Sequence, residues 1–435
     1  MGHITGKDIY RKLGEKIDNL TIRAPWNEAL YKIFKTLYSE EEADVVTKMP
    51  YSLSQFDRVQ KITKYEPIKL RKILDNLCSK GLVVDMWLNE DYYYMPSPMV
   101  IGIFEFTMMR TGGNLDSALW AKLFNDYLHG DDSFYAANTE NGEKISVMRA
   151  IPHEGTVEEY MEVLDYEKAT SIVESANKFS IALCSCRHEK LHIGKKECGD
   201  EVPLSTCSSF GIAADYLIRN NFAKEVSKSE MLENIARSKE LGLVFNADNI
   251  KKNVTFICHC CKCCCNALLG ISKFGYPNMV VTSNYIAKVK EAICVGCGKC
   301  ARACPISAIE MVHDSSNPKK KKAVIDASVC LGCGVCALSC KTEALKLDKR
   351  NQRVLHPETT FERVILQSLE RGTLHNQIFD NPQNIGQKVM SGILGGFLKL
   401  PSVKKALMSD TLRSRFLKSM EFGLKLQGKG WMTKL

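Results

Sequence analysis

The sequence predicts an α+β chain of several domains, and three patterns carry that expectation. Eight of the 19 cysteines fall in two short runs between Cys294 and Cys340, repeating with a period of 36 residues. Upstream, over residues 25–100, three helical periodicities precede two strand-like stretches. Downstream, the last fifty residues interleave lysine and arginine with apolar residues at helical spacing. A length of 435 residues predicts two to four domains, and 45% hydrophobic with 25% charged residues is a globular composition.

The opening Met-Gly-His-Ile-Thr-Gly-Lys-Asp has no apolar signal core, and no apolar run of about 20 residues occurs. A cytoplasmic location is therefore expected. There, many cysteines indicate metal or redox chemistry rather than disulfide staples. After a segment over 1–24, Trp26 to Leu37 places Ala29, Leu30, Ile33, Phe34 and Leu37 on one helical face. A second helix is expected around Ser54 to Ile62, and a third from Pro67 to Lys80, with Gly81 as its stop. Leu82–Trp87 and Asp91–Tyr94 read as two strands around Leu88-Asn89-Glu90. This order resembles a winged-helix domain, over residues 25–100. The resemblance implies DNA contact by Lys69, Arg71 and Lys72. Against it stand Glu66 and Asp75 on the same helix, Glu40-Glu41-Glu42 beside it, and an acidic wing of Asp85, Glu90 and Asp91. DNA is thus not the favoured partner. Cys78 lies on the apolar helix face and reads as core.

Residues 101–284 form a cysteine-rich α/β middle domain. Met99 to Met109 is apolar, Asp116 to Leu128 and Thr156 to Met161 read as helical, and Asp132 to Lys144 reads as a polar connector. No phosphate loop, dinucleotide fingerprint or nucleophile elbow is present. His129 and His153 read as structural. A buried strand is expected before Cys184-Ser-Cys186-Arg187-His188. Cys198 follows, and Cys207 opens an expected helix to Asn220, where a helix N-terminus would favour its thiolate. Ser227-x-x-Glu230 is a capping box for a helix ending near Gly242. The strand Val254–Ile257 then leads into Cys258-His259-Cys260-Cys261-Lys262-Cys263-Cys264-Cys265.

So many thiolates together need multivalent cations. Cys258, Cys261 and Cys264 read as one Cys-x-x-Cys-x-x-Cys, and Cys260 with Cys263 as an offset pair. With Cys265, Cys184, Cys186, Cys198 and Cys207 they form the candidate ligands of at least one further iron–sulfur cluster. A non-cubane cluster, zinc and metal-free redox thiols stay open, and spacing assigns no ligand set. Both cysteine sets follow strands, so they could converge at neighbouring strand ends. Arg187, His188, His192, His259 and Lys262 supply positive charge nearby.

The two runs are Cys294-Val-Gly-Cys297-Gly-Lys-Cys300-Ala-Arg-Ala-Cys304-Pro305 and Cys330-Leu-Gly-Cys333-Gly-Val-Cys336-Ala-Leu-Ser-Cys340. They resemble the two-cluster bacterial ferredoxins, with Lys341 standing where the second run could have proline. The resemblance implies a ferredoxin-like dicluster domain over 285–348 with two [4Fe–4S] clusters. One would take Cys294, Cys297, Cys300 and Cys340, the other Cys330, Cys333, Cys336 and Cys304. The whole arrangement is similar to 4Fe–4S dicluster-domain proteins of anaerobes, which implies no particular reaction. Between the runs, Lys319 to Lys322 reads as a solvated hairpin turn or as a patch that could steer an acidic redox partner, and Ala323–Asp326 reads as a strand.

Residues 349–435 read as a helical tail. From 386 onward it carries ten Lys or Arg against Asp410 and Glu421, nearly the whole net charge of +9. Val389, Met390, Ile393, Leu394, Phe397 and Leu398, and then Val403 to Met420, recur at helical spacing. Such a tail suits an anionic membrane surface, an acidic partner or the chain's own core. The expected function is electron transfer by an iron–sulfur protein, or by the iron–sulfur subunit of an oxidoreductase with a redox partner protein. The alternatives are a reductase with its own catalytic iron–sulfur site within 184–265, and a redox-responsive winged-helix regulator.

Overall fold

The computed structural model describes residues 8–113, 115–314 and 317–435. The opening Met1 to Lys7, read above for a signal core, lies outside the described residues, as does the side chain of Lys319. The chain packs as two units. The first comprises 1–143, 216–222 and 358–435, and the second 144–215 and 223–357.

In the first unit, Ile9–Asp18 and Glu28–Leu37 are helices started by Asp8 and Asn27, whose carboxylate and carboxamide accept backbone N–H groups. The next helix, Glu40–Lys48, opens on a full capping box of Ser39 and Glu42. Strand β1 (Ser54–Gln55) leads into the helices Phe56–Thr63 and Pro67–Ser79. Then β2 (Val83–Leu88) and β3 (Asp91–Pro96) form a hairpin. Asn89 and Glu90 both take positive φ in its two-residue turn. The sheet order is β1-β3-β2. Ile33, Phe34, Val59, Leu70, Leu74 and Val83 are buried, and Cys78 is buried with them. Its thiol is pushed well up, by burial first and then by Asp85.

Ser117–His129 is helical as expected. The segment read as a polar connector contains a helix, Ser133–Thr139, because Phe134 and Tyr135 bury their rings in the unit. The tail runs through the helices Thr360–Glu370, Leu374–Ile378, Ile385–Leu398, Pro401–Met408 and Asp410–Leu426. It is anchored by Asp380, which accepts two hydrogen bonds from Arg58 at 2.6 and 2.9 Å, one from Ser52, and a longer contact from Lys429 at 3.5 Å. Trp431 packs on Tyr93 with ring centroids 4.7 Å apart.

The second unit is built on six strands: β4 (Met148–Ile151), β5 (Phe179–Leu183), β6 (Ser205–Phe210), β7 (Ala223–Glu225), β8 (Val244–Asp248) and β9 (Phe256–Cys260). Their order is β4-β8-β9-β6-β5-β7, with antiparallel neighbours. The helices Ala169–Ser175 and Lys228–Glu240, the latter capped by Ser227 and Glu230 as its capping box predicts, cover an apolar face. Val173, Phe179, Phe210, Met231, Phe245 and Ile257 share this core. Cys207 sits inside β6, paired with Ala182, and not at a helix start. The helix begins at Gly211, whose φ of +55° turns the chain out of the strand. The helix expected over 156–161 is absent. There Val157 bridges to Leu347, and Glu158 N–H and Thr156 C=O bond to the Leu347 backbone.

Two small antiparallel pairs complete this unit. Strand β10 (Tyr285–Val289) pairs with β13 (Leu345–Lys349), and β11 (Ile309–Asp314) with β12 (Asn317–Ile325). The lysines at 320–322 therefore lie in a strand rather than in a turn. Among the described residues, no helix is long and apolar enough to cross a membrane.

Candidate metal centres

The two cysteine runs fold as near copies. Gly298 and Gly334 take left-handed φ of +71° and +83° and start the short helices Lys299–Ala303 and Val335–Leu338. These helices carry Cys300 and Cys336. Gly296 and Gly332 share a φ of +69°, and a Cβ on either would lie 2.1 Å from a carbonyl oxygen, that of Lys321 or Tyr285. Only glycine lets each loop lie this close to a neighbouring strand.

One pocket is lined by Cys304, Cys330, Cys333 and Cys336 together with Ala287, Ile306 and Leu347. It joins the last cysteine of one run to the first three of the other. Burial pushes the Cys333 thiol up to about 12 and raises Cys336 well above its ordinary value, with Cys333, Cys330 and Cys304 adding to it. Cys304 is also raised by burial, against the pull of backbone N–H groups. One of these, from Ala308, reaches its sulfur at 3.2 Å. Cys300 is raised by burial, and the sulfurs acting on it are those of Cys340 and Cys294. Cys297 is exposed. Neutral thiols are thus favoured in the metal-free pocket, whereas a multivalent cation would ionise them. A four-sulfur cavity with an N–H aimed at one sulfur fits a cubane cluster.

Residues 293–344 match the family model of the 4Fe-4S dicluster domain. No curated protein and no solved structure matches the chain. In the dicluster domain, Cys300 is itself among the sulfurs acting on Cys336, so the two cysteine sets are near neighbours.

The ten upstream cysteines gather at one end of the strands of the six-stranded sheet. Strands β5 and β9 both pair antiparallel with β6, so they run the same way and end side by side across it. Cys184 caps the helix Ser185–His192, Cys186 is its second residue, and Cys265 caps the helix Asn266–Ser272. Cys198, Cys261, Cys263 and Cys264 have sulfurs within 4.8 Å of one another. Individual separations are 3.4 Å for Cys263–Cys264, 3.8 Å for Cys263–Cys261 and 3.9 Å for Cys198–Cys264. Bonds of about 2.3 Å in a tetrahedron put sulfurs about 3.8 Å apart. This group therefore has the dimensions of a site for one tetrahedral ion. The neighbouring Cys261 and Cys264 sulfurs hold the Cys263 thiol below its ordinary value.

The Cys258, Cys261, Cys264 triplet is not brought together. Cys258 faces Cys207 and Cys260 instead. Spacing pointed to the triplet, but β9 continues through Cys260 and puts Cys258 on the strand, before the turn that carries Cys261 to Cys264.

Arg187 is fully buried. Its Nη1 donates to the His259 carbonyl at 2.8 Å and its Nη2 to Thr206 Oγ1. Burial opposes its charge, but the sulfurs of Cys184, Cys261 and Cys260 hold the guanidinium protonated. His259 supplies no charge. It is buried, shares a 2.8 Å hydrogen bond with Ser208 Oγ, and is lowered to about 3 by burial and then by Arg187. His192 and His188 share a 3.0 Å contact, and burial lowers His192.

Two links join this region to the dicluster domain. The His153 N–H donates to the Cys333 carbonyl at 3.0 Å, and its Nε2 meets the Leu243 carbonyl at 2.8 Å. Leu243 packs with Cys261 and Cys264. On the other side, Lys262 donates to the Arg302 carbonyl at 3.0 Å, and Arg302 to the Cys297 carbonyl at 3.4 Å. His153, a structural residue by its sequence context, thus lies between the two regions, where no motif could have placed it.

Proposed function

We propose that the chain is an iron–sulfur electron-transfer protein, or such a subunit of an oxidoreductase. Cys294, Cys297, Cys300 and Cys340 would hold one [4Fe–4S] cluster, and Cys304, Cys330, Cys333 and Cys336 the other. The clusters supply one-electron chemistry when bound. This chain's residues bury them, ionise at sulfur and set their spacing. Cys198, Cys261, Cys263 and Cys264 would hold a further centre, with iron as the redox-active occupant. The observation that carries this reading is the short path Cys333–His153–Leu243–Cys264, which puts only two residues between a cluster ligand and the further centre. Four sulfurs complete a tetrahedron, so this site favours electron passage over substrate binding at an open position.

The test is iron, zinc and acid-labile sulfide analysis of anaerobically purified chain, with EPR on stepwise reduction. Two clusters correspond to about eight irons and eight sulfides. Iron beyond that count at the Cys198 group supports the redox role, and zinc there would make it structural.

The module of four helices and three strands over residues 28–96 serves, in this reading, as a winged-helix-like packing element rather than a DNA reader. Lys69 is paired with Glu41, and Arg71 lies 4.1 Å over the Phe56 ring. The tail is the docking element. Ile385, Val389, Ile393 and Phe397 are 81%, 57%, 65% and 55% exposed at four-residue spacing, and the flanking charges are basic. We assign this face to an anionic membrane surface.

A further inference from the structure

The two ligand loops of the dicluster domain repeat at an offset of 36 residues, yet their surroundings differ. In the second loop the residue after the first cysteine is Leu331, only 2% exposed. Its carbonyl accepts the Ser283 N–H at 3.0 Å, and the Cys333 carbonyl accepts the His153 N–H at 3.0 Å. Val335, which opens the short helix of this loop, is buried beside Gly242. In the first loop the residue matching Leu331 is Val295, and it is 62% exposed, with Ile293 exposed next to it. Cys297, the counterpart of the buried Cys333, is exposed. So is Lys299, the counterpart of Val335.

Scattered apolar residues on a protein surface are ordinary. Here the repeat supplies its own reference. The same loop, with an aliphatic residue at the same place, is covered by protein in one copy and open in the other. The open copy also differs in charge. Arg302 donates to the Cys297 carbonyl at 3.4 Å, and Lys262 to the Arg302 carbonyl at 3.0 Å. Lys321 is exposed on β12, at the point where its own carbonyl abuts Gly296. Glu291 brings an acid to this side, and Lys322 pairs with it at 3.4 Å. A small apolar centre with a cationic rim suits brief docking of an acidic surface, with the rim charges raising the encounter rate.

We propose that Ile293, Val295 and Cys297, rimmed by Lys262, Lys299, Arg302 and Lys321, form the docking face for an acidic one-electron carrier protein. Resting on the electron-transfer reading, this face gives the chain an entrance. One electron passes from the carrier's reduced centre to the cluster held by Cys294, Cys297, Cys300 and Cys340, with no bond made or broken. The carrier is oxidised by one electron and the chain reduced by one. The covered loop, with Cys333 joined to His153, is the inward end of the path.

The experiment uses the full chain, purified anaerobically, with an acidic flavodoxin as the probe. Binding is measured by calorimetry at low and high salt, and zero-length carbodiimide cross-links are mapped by mass spectrometry. Lys299 and Lys321 are expected to be joined to flavodoxin carboxylates. Lys299→Glu with Lys321→Glu should weaken binding about tenfold at low salt, and the difference should shrink at high salt. Iron analysis of the variant shows that it is still loaded, and the cross-link map of the parent chain decides the matter independently of any variant. Absence of flavodoxin binding at low salt would overturn the proposal, as would binding that the charge reversal leaves unchanged. Cross-links between two copies of the chain at these lysines would overturn it too, since the face would then be a self-association surface. A chain that reduced viologen cannot reduce would fail the electron-transfer reading. Binding and cross-linking, which are read without electron passage, would still test the docking face.

Discussion

At the scale of single residues, backbone conformation and buried charge decide most. Gly332 combines a φ of +69° with a carbonyl 2.1 Å from where a Cβ would sit. Gly332→Ala is expected to destabilise the second unit by about 2–4 kcal/mol. It should also lower the dicluster iron content, read by chemical denaturation and iron analysis; an unchanged midpoint would show that the loop can relax. Asp380 gives a pH prediction. Burial would raise its pKa, but the Arg58 hydrogen bonds and Lys429 prevail and hold it below the ordinary carboxylate value. A depressed carboxylate contributes stability above its unfolded pKa and loses it as pH falls through the folded one. Asp380→Asn should therefore cost about 1–3 kcal/mol at pH 7, with Arg58 partly exposed. The difference from the parent chain should shrink below about pH 4. Thermal melts at the two pH values check this.

At the scale of elements, local signals were readable and long-range ones were not. The repeat of Cys-x-x-Cys with glycines at 296, 298, 332 and 334 is legible because one tight loop supplies three sulfurs. The sulfur grouping at 184–265 is not, because strand pairing decides it. Cys258 and Cys260 leave β9 two residues apart, and Cys198 arrives from a separate loop. Cys207 reads as a helix opener only if the polar run Ser205 to Ser209 is taken alone; pairing with β5 and β9 makes it a strand. The helix Glu40–Lys48 had a usable signal in Ser39 and Glu42, which the acidic run conceals as a mere charge patch. The exposed tail face makes its own prediction. The full chain should sediment with vesicles containing phosphatidylserine and not with phosphatidylcholine alone, and high salt should weaken the binding. Ile393→Asp with Phe397→Asp should abolish it. Equal binding to both vesicle types would remove the electrostatic part of the account.

At the scale of the whole molecule, the eight cysteines of the dicluster domain and the ten at the strand ends belong to one unit. Cys333 and Cys264 are joined through His153 and Leu243, and Cys297 and Lys262 through Arg302. In the proposed reading, that closeness would let electrons pass between the dicluster domain and the cysteines at the strand ends. His153→Ala removes the ring between them. It is expected to slow reduction of the Cys198 centre through the dicluster domain, with both centres still loaded, in stopped-flow reduction. An unchanged rate would place the electron route elsewhere. The central claim is that both regions hold metal and exchange electrons, and anaerobic reductive titration followed by EPR and ⁵⁷Fe Mössbauer spectroscopy tests it most directly. The account predicts about eight cluster irons with about eight sulfides, plus separate iron at the Cys198 group that changes oxidation state in the same titration. A chain with fewer cluster irons, or with only zinc at the Cys198 group and no further redox component, would contradict it.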